Sequence, residues 1–271
     1  MTLPEDAVFR GPAPHPVLGT DPSSILLGLA QDGGRPQLGC ERACCTNVAE
    51  PGLPVALGLL DGDRRFLIDA TPALPAQLPM LGGLDGVLLT HAHIGHYTGL
   101  MYLGREALNV QRVPVWAMPR MRAFLEGNGP WAQLGSIGNV EFRDLEDGVE
   151  VELSPRLHVT PRLVSHRDEY SETVGFFVRS PTWRLFYLPD IDRWDGFPLA
   201  ETLAQVDIAL LDGTFYDDAE VAGLGRDPRA IPHPRVVDTL QRLAALPAEQ
   251  QAKVRFIHLN HSNRLWGDAS E

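Results

Sequence analysis

The sequence predicts a mixed α/β protein built as a sandwich, and three observations carry that expectation. Short apolar runs bounded by Gly, Pro or Asp recur along the chain, the punctuation expected of strands. Only a few segments carry a helical pattern, and they are spaced between those runs. No linker, repeat or low-complexity tract divides the 271 residues, so one domain over 24–271 is expected. Before it, Pro4, Pro12, Pro14, Pro16 and Pro22 predict an extended arm over 1–23.

Taken in order, strands are expected at Ile25 to Ala30, Val55 to Leu60, Phe66 to Ala70, Val87 to Thr90 and Val113 to Met118. Further strands are expected at Leu157 to Val164, Thr173 to Arg179, Arg184 to Leu188, Val206 to Leu211 and Val254 to Leu259. Helical patterns fall on Thr98 to Leu108, Arg120 to Glu126 and Pro234 to Leu246.

Composition narrows the function. With 23 basic against 35 acidic residues, the net charge of −12 disfavours a partner rich in phosphate backbone, so no nucleic acid is expected. No apolar run is long enough to span a bilayer, and the opening MTLPEDAVFR lacks a basic n-region. Cys40, Cys44 and Cys45 are an odd number crowded into six residues, a poor disulfide framework and a better ligand cluster. A cytoplasmic protein without membrane attachment is the expectation.

The most informative segment is Leu88-Leu89-Thr90-His91-Ala92-His93-Ile94-Gly95-His96. A strand end lets side chains leave a sheet and converge. His91 and His93 can face the same way on extended backbone, and His96 follows a Gly that permits a turn. One such histidine would usually cap a helix. Three neutral imidazoles at this spacing suit Zn, Fe, Mn or Ni.

THAHIGH, with the YTGLMYLGREAL after it, resembles the HxHxDH motif of the metallo-β-lactamase fold superfamily. The opening LLGLAQDGGRPQLGC and the late HLNHSN resemble the branch that holds pyrroloquinoline quinone biosynthesis B proteins and phosphonate-metabolism cyclic phosphodiesterases. The resemblance runs from about Ile25 to Asn263 and implies an αββα four-layer sandwich. It implies further metal ligands in His166, in the bridging carboxylate Asp190, and in His258 for a second metal. Asp192 competes with Asp190, and Asp69 resembles an aspartate that orients a ligand imidazole. His15, His158 and His233 lack a matching context and are read as surface or packing residues.

The motif's aspartate falls on Gly95. A first site keeps His91, His93, His166 and a share of Asp190. A second keeps His96, His258 and Asp190, two histidines and one carboxylate, an arrangement used by non-haem iron oxygenases. An Asp introduced at 95 is expected to restore the missing ligand, unless Gly95 has a positive φ that other residues resist. The branch also builds a structural zinc from an early Cys trio and a late His, which here implies Cys40, Cys44, Cys45 and His261; three buried reduced thiols are the alternative.

The expected function is a metal-dependent hydrolase of a small molecule, acting on a phosphodiester or other ester-like bond. His91, His93 and Asp190 would carry the chemistry, with Zn2+, Fe2+ or Mn2+ at the active site. An iron oxygenase and an inert metal-bound scaffold are the alternatives, and a homodimer is allowed for. A nuclease of this fold is disfavoured by the charge.

Overall fold

The computed structural model describes residues 9–10, 21–46, 48–49 and 51–267. Most of the expected Pro-rich arm, and His15 within it, lies outside these described residues. A two-residue ladder, β1 (Phe9–Arg10) against β5 (Gly83–Leu84), stands beside two six-stranded sheets. The first sheet holds β2 (Ser23–Gly28), β3 (Ala56–Asp61), β4 (Arg64–Ile68), β6 (Gly86–Leu88), β7 (Val113–Ala117) and β8 (Val140–Asp144), side by side in that order. The second holds β9 (Val151–Ser154), β10 (Leu157–Val164), β11 (Thr173–Arg179), β12 (Arg184–Leu188), β13 (Ile208–Asp212) and β14 (Val254–Ile257), also adjacent in sequence order. Each sheet begins antiparallel and ends parallel, from β4 onward in the first and from β12 onward in the second.

The helices in chain order are α1 (Ala43–Thr46), α2 (Leu74–Leu81), α3 (Ile94–Tyr97), α4 (Pro119–Gly127), α5 (Trp131–Ser136), α6 (Leu199–Gln205), α7 (Asp218–Gly223), α8 (Val236–Leu243) and α9 (Ala248–Gln251). Strand side chains alternate between faces, and that alternation sorts the apolar residues into three layers of core. Ala56, Leu60 and Leu67 meet Leu78 of α2 and Leu125 of α4. Leu57, Leu59, Phe66 and Ile68 face the other way, onto Phe176, Leu185 and Tyr187 of the second sheet. Phe186 and Leu188 point outward to Leu199 and Leu203 of α6 and Leu243 of α8. Helix, sheet, sheet, helix is the four-layer sandwich that the resemblance implied. A strand covered on both faces reads as a continuous apolar run, and β3 is buried along its whole length.

Several boundaries move, each for a local reason. The strand expected to reach Ala70 stops at Ile68 because Asp69 is left-handed (φ 69°), and the one expected to reach Leu259 stops at Ile257 because His258 is too (φ 60°). The helix expected over Thr98 to Leu108 is a 3-10 turn over Thr98–Leu103 ending at an extended Gly104. Gly99 lets that turn press against the backbone of Ala70 and Thr71, where a side chain would not fit. Strands β8 and β9 were not expected. They are half-exposed edges whose charged residues mask the alternation. Among the described residues no helix is long and apolar enough to cross a membrane.

Candidate metal centre

The chain puts its functional side chains just beyond strand ends, and those ends share one rim. His91 follows β6, His166 follows β10, Asp190 follows β12 and His258 follows β14. His91, His93, His166 and Asp190 bring one ligand atom each to within 4.8 Å of one another. His91 Nε2 lies 2.9 Å from His93 Nδ1, which lies 3.3 Å from His166 Nε2. Two donors bound at about 2.0–2.2 Å on one tetrahedral ion stand roughly 3.3–3.6 Å apart; the His93–His166 spacing meets that range and the His91–His93 spacing is shorter than it.

Asp190 faces both ways. One carboxylate oxygen is 3.5 Å from His166 Nε2, and the other is 3.2 Å from His96 Nε2 and 3.4 Å from His258 Nε2. Asp192, its competitor in the sequence, instead sits 3.1 Å from the far nitrogen of His166 and orients that ring. Asp69 lies behind His96. It accepts from Thr90 N and Oγ1 at 2.9 Å and lies 2.8 Å from His96 Nδ1, which aims Nε2 into the site.

A second set of donors holds His96, His258 and Asp32, a residue the sequence reading did not single out. Asp32 lies in the loop after β2, with Oδ1 3.2 Å from His96 Nε2 and 3.6 Å from His258 Nε2. Gly95 belongs to α3, and its φ is not positive. The expectation that an Asp could simply be added at 95 is therefore overturned for a different reason. A β-carbon there would overlap the Asp32 carboxylate.

The expectation for His233 is also corrected: it joins the site rather than the surface. Its ligand atom groups with those of Asp190 and His258. Asp212 accepts at 2.8 Å from His233 Nδ1 and at 2.7 Å from Thr214 Oγ1, while Thr214 stands 2.8 Å from His258 Nδ1. Flanking Pro232 and Pro234 give His233 no motif. His158 pairs with Glu150 at 3.3 Å and takes no part in these groups. A cavity of about 620 Å³ opens beside the centre, lined in part by Asp192, Arg193, His233 and Arg235.

The chemistry of the donors fits a cation. Asp32 Oδ1, His96 Nε2, Asp190 Oδ2 and His258 Nε2 are buried atoms without a hydrogen-bond partner, and they face one another. Each such group costs about 1–3 kcal/mol when left unsatisfied, so four together are hard to explain unless they share an ion. Burial pushes His91 well below the usual imidazole range, and likewise His93 to about 4, keeping both neutral as ligands must be. Burial would also depress His96, but the Asp69 and Asp190 carboxylates hold it well above that range. Burial alone would raise Asp190 and Asp32; the surrounding imidazoles, His258 first in both cases, keep them well below the usual carboxylate range.

The cysteine trio forms a separate group. Cys40, Cys44, Cys45 and His261 each bring an atom within 4.8 Å of the others. Cys44 Sγ and Cys45 Sγ are 4.0 Å apart, and His261 Nδ1 is 3.5 and 3.2 Å from them. Sulfurs bound to one tetrahedral zinc at about 2.3 Å stand roughly 3.8 Å apart. Burial, with Cys45 beside it, raises the Cys44 thiol to about 11, so a metal at this group would displace a proton.

A sequence profile of the beta-lactamase superfamily domain matches residues 64–259. The chain belongs to that superfamily. It is 27% identical over 286 residues to coenzyme PQQ synthesis protein B of Pseudomonas paraeruginosa, covering 90% of this chain and 91% of the relative. It is 28% identical over 279 residues to the protein of the same name from Methylobacterium nodulans, covering 92% of each. Among solved structures it is similar to zinc-bound PqqB from Methylobacterium extorquens, with a TM-score of 0.77 and 22% identity over 91% of this chain and 92% of that one. It is also similar to a diphosphatase of the PhnP family, with a TM-score of 0.64 and 22% identity over 89% of this chain and 87% of that one. These likenesses show the metallo-β-lactamase fold.

Proposed function

We propose that the protein is a metal-dependent hydrolase of a small molecule, cutting a phosphodiester or other ester-like bond. The observation that carries this reading is Asp190, whose two oxygens face two separate groups of imidazoles. His91, His93, His166 and Asp190 would hold one ion, and His96 and His258 would share Asp190 for another. A bound metal supplies a water whose pKa falls to about 7 and polarises the scissile group. Asp69 and Asp192 keep the His96 and His166 rings turned inward. His233, held by Asp212, brings an imidazole to the face from which a substrate in the neighbouring cavity would approach. That cavity lies within the usual size range for small-molecule sites.

The rest of the reading follows from the same residues. Zinc, iron or manganese suits the histidine groups, and zinc suits Cys40, Cys44, Cys45 and His261, where it would brace the loop after β2. A reducing, cytoplasmic setting fits three cysteines that form no disulfide. An inert scaffold is disfavoured by the buried, unpartnered donors, which serve no packing purpose. The oxygenase reading rested on a count of two histidines and one carboxylate. A further carboxylate, Asp32, lies within reach of His96 and His258.

The test is elemental analysis of protein purified without added metal, followed by assay against a generic phosphodiester and for oxygen uptake. Metal beyond one zinc per chain, with metal-dependent ester cleavage, supports the hydrolase. Iron with oxygen uptake and no ester cleavage overturns it in favour of the oxygenase.

A further inference from the structure

We infer that Asp32 is the second ion's own carboxylate ligand, delivered from the β2 loop into the space that Gly95 leaves open. The inference rests on the metal-centre reading above and deepens it. Three observations carry it. Asp32 Oδ1 approaches Nε2 of both His96 and His258, at 3.2 and 3.6 Å, as a third donor on one ion would. That oxygen is buried and has no hydrogen-bond partner, as is true of the two imidazole nitrogens that face it. Finally, a β-carbon at 95 would stand 2.6 Å from Asp32 Cγ and 2.7 Å from its Cα. Asp32 and a side chain at 95 exclude each other.

The glycine is therefore the partner of the aspartate rather than a loss. A carboxylate normally carried on the motif turn is carried here by a loop some sixty residues earlier in the chain. The loop is held where it needs to be. Gln31 N donates to Leu259 O at 2.9 Å, Gly34 N to Gln31 O at 2.8 Å, and Arg35 pairs both ways with Gly52. Leu259 follows His258 directly, so the backbone that positions Asp32 is tied to the backbone that positions one of its co-ligands. The second ion then has His96, His258, Asp190 and Asp32 as donors, and Asp190 remains the shared one. A dinuclear centre follows.

The experiment measures bound metal in the full-length chain after saturation with zinc and removal of the excess. Expected are three equivalents in the wild type and two in Asp32→Ala, with at least a tenfold loss of affinity at the weakest site. Gly95→Ala should reproduce the loss, because a β-carbon at 95 would overlap the Asp32 carboxylate. Circular dichroism and retention of the other two equivalents show that the variants are folded. Three equivalents with unchanged affinity in Asp32→Ala overturn the inference while leaving the metal-centre reading intact. A wild type that binds only the structural zinc overturns both, and one that binds two equivalents overturns the dinuclear assignment alone.

Discussion

The Asp69 carboxylate lies 2.8 Å from Nδ1 of His96, and both side chains are sealed from solvent. The aspartate sits at φ 69°, a conformation that Asn also tolerates. Asp69→Asn should therefore preserve the backbone while removing the charge that orients the ring. Loss of such a partner typically costs 10–100-fold in metal affinity. Chelator competition should show that drop with the melting temperature little changed; undiminished affinity would count against the orienting role.

His91→Ala and His166→Ala each remove a donor from the first group. Each variant should lose active-site metal and hydrolytic activity yet stay folded, because the three apolar layers do not include these residues. Metal content and near-ultraviolet circular dichroism check this. Full metal and activity in both would mean that the ligands have been misassigned.

Metal uptake should release a proton near pH 7. In the metal-free protein the Asp69 and Asp190 carboxylates, against the pull of burial, keep His96 protonated well above the usual imidazole range. A ligand imidazole must be neutral, so binding expels that proton. Adding zinc to apo-protein in a weak buffer with an indicator should acidify the solution. The proton release attributable to His96 should disappear in His96→Ala.

Cys44→Ser, Cys45→Ser and His261→Ala should each lose one zinc and lower the melting temperature, since binding energy at a structural site is folding energy. Chelation of the wild type should do the same. Unchanged zinc content and melting temperature in all three would restore the alternative of buried reduced thiols.

Asp61 joins the two sheets. It ends β3 and accepts from Ser154 Oγ of β9 at 2.5 Å and from Arg156. Asp61→Ala should destabilise the fold by about 1–3 kcal/mol, the usual cost when a buried polar partner is lost. Urea unfolding measures it, with metal stoichiometry unaltered.

What the sequence determined by itself is the part written in short spacings. The apolar runs of β3, β4, β12 and β13 are legible because both faces of those strands are buried, which leaves no polar alternation to confuse them. His91, His93 and His96 are legible because a strand end and one tight turn carry all three, and Cys40, Cys44 and Cys45 because six residues hold them. Asp190 and Asp192 both follow β12, and only the tertiary structure shows that they meet opposite sides of the His166 ring. It alone brought in His233, which acquires its partner Asp212 across 21 residues of chain. It alone explained Gly95, because the carboxylate that fills its space comes from a loop that no local pattern connects to the motif. Ligand spheres are built from strand ends that meet only when two sheets pack, and a linear pattern records the ends but not their meeting.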